Sequence, residues 1–167
     1  MPNALLQLPS HRGDPPFLGD VETLLANARL LQRASEPRLR KQFLKGKNLG
    51  LLCELSEADA ATLFARAATE LGAVVSHIRP SLSDLGTPAV RRDTSQMLGR
   101  LYDGIECQGL PLELVAQIGR EAGVPVYDAI AGKDHPTAGL ARLLDGDDSD
   151  ERKRQLLLQS VLLATLR

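Results

Sequence analysis

Aromatic residues are scarce: two Tyr, three Phe and no Trp in 167 residues. With so few stacking platforms, single-stranded nucleic acid and carbohydrate recognition are poor expectations. Charge of one sign is missing too, since 20 Lys and Arg stand against 21 Asp and Glu for a formal net charge of −1. That balance argues against a whole-surface grip on nucleic acid or anionic lipid. Cysteine is limited to Cys53 and Cys107, far apart in apolar runs and in no C-x-x-C or Cys/His metal spacing. Such usage suits a reduced, cytoplasmic protein. No apolar run approaches the roughly 18 residues of a spanning helix, and no basic-then-apolar leader opens the chain, so neither membrane insertion nor secretion is expected. What is present is a 43% hydrophobic composition, enough for one self-sufficient core.

Residues 1–19, with Pro2, Pro9, Gly13, Pro15, Pro16 and Gly19, read as an irregular arm. Val21, Leu24, Leu25, Ala28 and Leu31 then repeat at helical spacing between an Asp20 N-cap and Pro37. Seven basic residues from Arg29 to Lys47 meet only Glu36. A polyanion patch is one reading, but basic side chains at a helix end also suit the macrodipole and solvent, and that reading is preferred. Short apolar runs at Asn48–Cys53, Ala73–Ile78, Tyr102–Cys107 and Val124–Tyr127 alternate with helical patterns at Glu57–Leu71, Pro88–Leu101 and Pro111–Ala122, the last ended by Gly123. A further helix follows His135-Pro136 to Leu144, Asp145–Asp150 form an acidic link, and Glu151–Leu166 reads as an amphipathic helix with an apolar second half. Strand-helix alternation predicts an α/β fold: a four-stranded parallel sheet with helices on both faces. The organisation expected is an arm (1–19), one α/β domain (20–144), the link (145–150) and a C-terminal helix (151–167) packing back on the domain.

Ligands of open parallel sheets gather at the carboxyl ends of the strands, so the loops after Cys53, Ile78, Cys107 and Tyr127 matter most. Several short pieces stand around them: Leu44-Lys-Gly-Lys47, Glu70-Leu-Gly-Ala73, Arg79-Pro-Ser81, Asp84-Leu-Gly86, Asp93-Thr94, Leu98-Gly-Arg100, Gly123-Val-Pro-Val126 and His135-Pro136. In this order and spacing, the stretch from Leu44 to about Leu144 resembles the amino-terminal, carbamoyl-phosphate-binding domain of the ornithine/aspartate carbamoyltransferase family. Ser160-Val-Leu-Leu-Ala-Thr-Leu166 is similar to the carboxyl-terminal helix of the ornithine enzymes, which packs back on the first domain. The resemblance implies a three-layer sandwich and skips the family's second, amino-acid-binding domain. A short link would let the last helix cover an apolar groove that would otherwise be an aggregation hazard.

The departures from the family lie at its chemistry. Its Ser-Thr-Arg-Thr-Arg phosphate motif falls on Glu57, Ala58, Asp59, Ala60 and Ala61. There a helix N-terminus backed by guanidinium would hold the dianion; here Ser56 reads as an N-cap with Asp59 completing a near capping box. A phosphate about 4 Å from Asp59 would meet repulsion of several kcal/mol. The family's carbonyl-polarising arginine falls on Gln108, which offers a neutral donor, and the glutamine of its His-Pro-x-Gln motif falls on Ala138. His135 alone survives, either as a donor to a carbonyl or as the residue that fixes the turn before Pro136, the latter being preferred.

Asp84 and Asp128 read as loop carboxylates rather than a new acid/base pair, and Cys53 and Cys107 as buried structural thiols. His11 and His77 have no partner in a triad or ligand spacing. No cofactor, nucleotide or metal is expected. The reading that follows is a non-catalytic carbamoyltransferase-like protein that acts by association. It would be a homo-oligomer, a trimer by resemblance, or a regulatory or scaffolding subunit joined to a full-length carbamoyltransferase through the Ser81–Val90 loop. Alternatives are a binder or enzyme using an acid-lined strand-end crevice for a neutral or cationic molecule, and residual carbamoyl transfer.

Overall fold

The computed structural model describes residues 21–34, 36–54, 58–80 and 86–166. Helix α1 (Val21–Arg33) buries Leu24, Leu25, Ala28 and Leu31, the stripe its spacing demands. The short α2 (Pro37–Arg40) follows. Its Arg40 is 9% exposed and donates from Nε to the Ala34 carbonyl at 2.9 Å and from Nη2 to the Leu31 carbonyl. Within the basic segment, Arg40 thus closes the end of α1, and Lys47 lies 3.8 Å from Asp103.

Four parallel strands form the sheet: β1 (Asn48–Leu52), β2 (Val74–Ile78), β3 (Gly104–Cys107) and β4 (Val126–Asp128), in the order β2-β1-β3-β4. The chain runs from β1 out to β2 and returns to β3 on the other side of β1, so the order reverses at β1. Helices α3 (Asp59–Glu70), α4 (Pro88–Leu101) and α5 (Leu112–Ala122) connect the strands, and α6 (Pro136–Ala141) and α7 (Asp150–Thr165) follow them. Alternation along the strands feeds two cores. Leu49, Leu51 and Tyr127 face α1, α3, α6 and α7, while Leu52, Ile105, Cys107 and Val126 face α4 and α5. The three-layer α/β sandwich is as expected.

Most element boundaries sit within a residue or two of the periodicity. Gly123 ends α5 in the left-handed region at φ 72°, and Thr87 caps α4 by accepting from the Val90 N–H at 3.3 Å. Three boundaries differ for physical reasons. Strand β3 begins at Gly104 because the Tyr102 N–H still bonds back to Leu98. Strand β4 begins after Pro125, which has no N–H to give the ladder. Helix α6 stops at Ala141 because Arg142, Leu143 and Leu144 bond three residues back, which tightens the last turn.

Helix α7 differs in kind. Rather than one apolar face it is buried on all sides from Gln155 to Leu162, packed against α1, α3 and α6. Part of its buried polar inventory is answered: Ser160 Oγ donates to the Leu24 carbonyl at 2.7 Å and Gln159 Nε2 to the Ala67 carbonyl at 3.2 Å, while Gln155 Nε2 and Gln159 Oε1 have no partner among the described residues. The link before it is held from α1, where Gln32 Nε2 donates to the Asp145 carbonyl at 2.8 Å and Asp148 Oδ2 at 2.7 Å. Ser149 then caps α7 by accepting from the Arg152 N–H.

Candidate functional site: the carboxyl ends of the strands

Just past β1 the Cys53 N–H bonds to the Ile78 carbonyl at 3.2 Å, and just past β3 the Gln108 N–H bonds to the Leu52 carbonyl at 2.8 Å. Sheet register therefore brings Cys53, Ile78, Gln108 and the segment after β4 to one edge, at the point where strand order reverses. Ligands of such sheets sit there.

Helix α3 opens toward this edge two residues later than the sequence pattern predicts. Its N-cap is Ala58, in extended conformation and with no side chain to accept a hydrogen bond, and Asp59 is the first helical residue. The expected Ser56 cap and the Ser56/Asp59 capping box are thus replaced; Ser56 and Glu57 themselves lie outside the described residues, as does Asp84. Asp59 is exposed. Ala60 is half-buried, and Ala61, 1% exposed, points into the core shared with α7. On this first turn the described residues hold one carboxylate and no cation.

Gln108 is half-buried, and its Nε2 has no partner among the described residues. It is a neutral donor beside the switch point. Ala138 lies on α6 and offers no polar group. His135 is the N-cap of α6: its Nδ1 accepts from the Thr137 N–H at 3.3 Å and lies 2.9 Å from the Thr137 hydroxyl, which itself reaches the Ile130 carbonyl. An accepting Nδ1 puts the neutral ring's proton on Nε2. Burial holds this imidazole below its usual range, which keeps it in that neutral form.

Two groupings escaped the sequence analysis. His77, expected to have no partner in a triad or ligand spacing, meets Cys53 across the strands: its Nε2 is 2.8 Å from the Cys53 carbonyl and 3.1 Å from Cys53 Sγ. The parallel register of β1 and β2 is what joins them. A ring nitrogen that donates to a carbonyl has no lone pair for a thiol proton, so this is not a nucleophile-base pair. The second is Glu106 on β3, fully buried on the α7 side of the sheet. Its Oε1 accepts from the Ile130 N–H at 3.2 Å and its Oε2 has no partner among the described residues. Burial first, with Asp128 adding to it, pushes this carboxyl well above the ordinary range against the pull of backbone N–H groups. An acid inside an apolar run of a parallel strand was the available signal, since both faces of such a strand are covered.

Among the described residues, the surface beside Asp59 carries charges of both signs. A cleft of about 420 Å³ between α3 and α7 is lined by Asp59, Asp150 and Glu151, but also by Arg66, Lys133 and Arg154. Arg66 is paired with Glu151 at 2.5 Å. Among the described residues no group of three or more His, Cys, Asp or Glu could hold a metal ion, and no helix is long and apolar enough to cross a membrane.

Comparison with known proteins fits this architecture. Residues 18–145 match the family described as aspartate/ornithine carbamoyltransferase, carbamoyl-P binding domain. An ornithine carbamoyltransferase of Haemophilus influenzae (strain PittGG) is 38% identical over 125 residues, which is 75% of this chain and 37% of that one. Among solved structures, ornithine carbamoyltransferase of Burkholderia thailandensis E264 superposes with a TM-score of 0.63 at 21% identity, over 79% of this chain and 46% of that one. The ornithine carbamoyltransferase of Thermus thermophilus gives 0.58 at 30% identity, over 78% and 43%. The chain thus spans less than half the length of these relatives. With the family pattern running through all four strands and the helices between them, this chain belongs to the aspartate/ornithine carbamoyltransferase family and represents its carbamoyl-phosphate-binding domain.

Proposed function

We propose that this protein is a non-catalytic member of the family that works by association, with itself or with a full-length carbamoyltransferase. One observation carries the reading: α3 starts at Asp59 behind an Ala58 cap, where the resemblance calls for an arginine-bearing phosphate motif. A carboxylate at the positive end of that helix takes the place of the bound anion, and Ala60, Ala61, Gln108 and Ala138 return no cation to the strand ends. The loss extends to both halves of the chemistry, since the positions that the resemblance aligns with the phosphate and carbonyl contacts carry no guanidinium of their own; Arg66 and Arg154 line the neighbouring cleft instead. The described surface carries apolar side chains that suit association: Val90, Met97 and Leu101 on α4 are 43%, 52% and 57% exposed. Assembly by resemblance is a trimer, and the two free, buried cysteines suit the reducing cytoplasm.

The test is carbamoyl transfer to ornithine and to aspartate, together with solution mass alone and after co-expression with the host's carbamoyltransferase. Background turnover, with a trimeric mass or co-elution, is the expected result. Turnover above background overturns the non-catalytic reading, and a monomer that co-elutes with nothing overturns the association.

A further inference from the structure

Of the seven basic side chains between Arg29 and Lys47, the fold engages Arg40, which closes the end of α1 and lies 3.9 Å from Glu70, and Lys47, which lies 3.8 Å from Asp103. Arg38, Lys41 and Lys45 are exposed and have no carboxylate within 4 Å among the described residues. Between them stand two bulky apolar side chains turned to solvent, Leu39 at 63% and Phe43 at 55% exposure. The acid of this stretch is Glu36, at the N-cap of α2.

Leu39 and Phe43 are held outward by well-anchored neighbours. Arg40 and Leu44, 9% and 1% exposed, are the inward positions of the segment, and the Leu44 N–H donates to the Leu71 carbonyl at 2.8 Å. Gly72, at φ 97°, comes so near the Lys41 carbonyl that an added Cβ would collide with it. With Arg40 and Leu44 fixed inward, the residue before each is left at the surface. Val74, 58% exposed at the start of the edge strand β2, adds a third apolar side chain beside the segment, since its N–H donates to the Lys47 carbonyl at 2.9 Å.

Apolar side chains fixed among unpaired cations suit the boundary of an anionic bilayer. The ring and the aliphatic groups enter the acyl region, while lysine and arginine stems lie along it and keep their charges at the headgroup phosphates. The formal net charge of −1 does not oppose this, because surface charges act within about a Debye length, ~10 Å at 0.1 M salt. An acidic protein is the less fitting partner: Pro37–Lys45 is nine residues long, short of the roughly 20–30 residues that each side of a stable protein interface supplies.

We propose that the Pro37–Lys45 segment docks this protein peripherally on anionic lipid membranes, with Leu39 and Phe43 entering the headgroup boundary and Arg38, Lys41 and Lys45 meeting the lipid phosphates. Through Leu44 the segment is rooted in the core on the α1, α3 and α7 face of the sheet. It thus lies apart from the strand ends, and across the sheet from the α4 side chains assigned to association.

Vesicle flotation of the full chain tests the docking, because bound protein rises while aggregated protein sinks. At low salt the protein is expected to float with vesicles of phosphatidylcholine mixed with phosphatidylglycerol but not with phosphatidylcholine alone, and flotation should fade as salt rises. Replacing all three cations, Arg38→Ala, Lys41→Ala and Lys45→Ala, should weaken partitioning roughly a hundredfold, at about fivefold for each. Leu39→Ser with Phe43→Ser should abolish flotation while leaving Tm near that of the parent, since both side chains face solvent. Leu112→Ser, at an exposed site on α5, should change nothing. Soluble polyglutamate is the second probe: its capture without flotation identifies an acidic protein partner and overturns the membrane. No flotation, equal flotation with phosphatidylcholine alone, flotation that survives the substitutions in the segment, or an equal loss with Leu112→Ser overturns it too.

Discussion

Leu49, Leu51 and Tyr127 look out on four helices, whereas Leu52, Ile105 and Val126 look out on two. The first face is deep. Helix α7 lies within it, buried on every side, and carries Gln159 and Ser160 into the interior on hydrogen bonds to α3 and α1. The second face is shallow and depends on how closely α4 and α5 approach. At Gly99 an added Cβ would run into the Ala122 carbonyl at the end of α5, so backbone meets backbone there. Beyond that contact, α4 turns Met97 and Leu101 to the outside. A sheet can thus be sealed by side-chain volume on one side and by missing side-chain volume on the other.

The largest break in this comparison is expected from Leu157→Ala. Leu157 is fully buried in the α7 face, and the vacated volume cannot collapse between four helices, so urea unfolding should report a loss of about 2–5 kcal/mol. On the opposite face, Gly99→Ala should cost about 1–3 kcal/mol by overpacking, even though alanine is the better helix former. A gain in stability by the same measurement would show that α4 and α5 can slide apart freely.

The smallest effect concerns Glu106, among the described residues the one acid sealed beneath α7. Its folded-state carboxyl titrates well above 4.5 while the unfolded one titrates near the ordinary value. Between those two limits the native state binds more protons, so stability falls as pH rises from about 4.5 upward. Glu106→Gln keeps an acceptor for the Ile130 N–H and removes the ionisation. Its unfolding free energy should therefore decline less steeply between pH 5 and pH 8 than the parent's. Equal slopes would mean that Glu106 is not the group responsible.

Much of the frame was legible before any coordinates. Periodicity placed α4 at the residues observed, Gly123 marked the end of α5, and alternation with helices gave the parallel sheet. The start of α3 was not legible, because a Ser-x-x-Asp pattern satisfies the rule for a cap at Ser56 as well as the observed start satisfies backbone geometry at Ala58. The Cys53–His77 contact was hidden for another reason: 24 residues separate them, and only strand register closes that distance. The mixed charge of the cleft beside Asp59 was not legible because Lys133, Arg66 and Arg154 come from three distant elements.

By itself the sequence determined what is local or periodic: the order of strands and helices and the pattern that ties the chain to its family. Tertiary structure alone decided which charges share a cleft, which acid is sealed from water, and that α7 is an interior helix. These depend on distances across the fold. Electrostatic energy and burial are properties of neighbours in space, and the linear order of residues names those neighbours only where a turn or a register makes them adjacent.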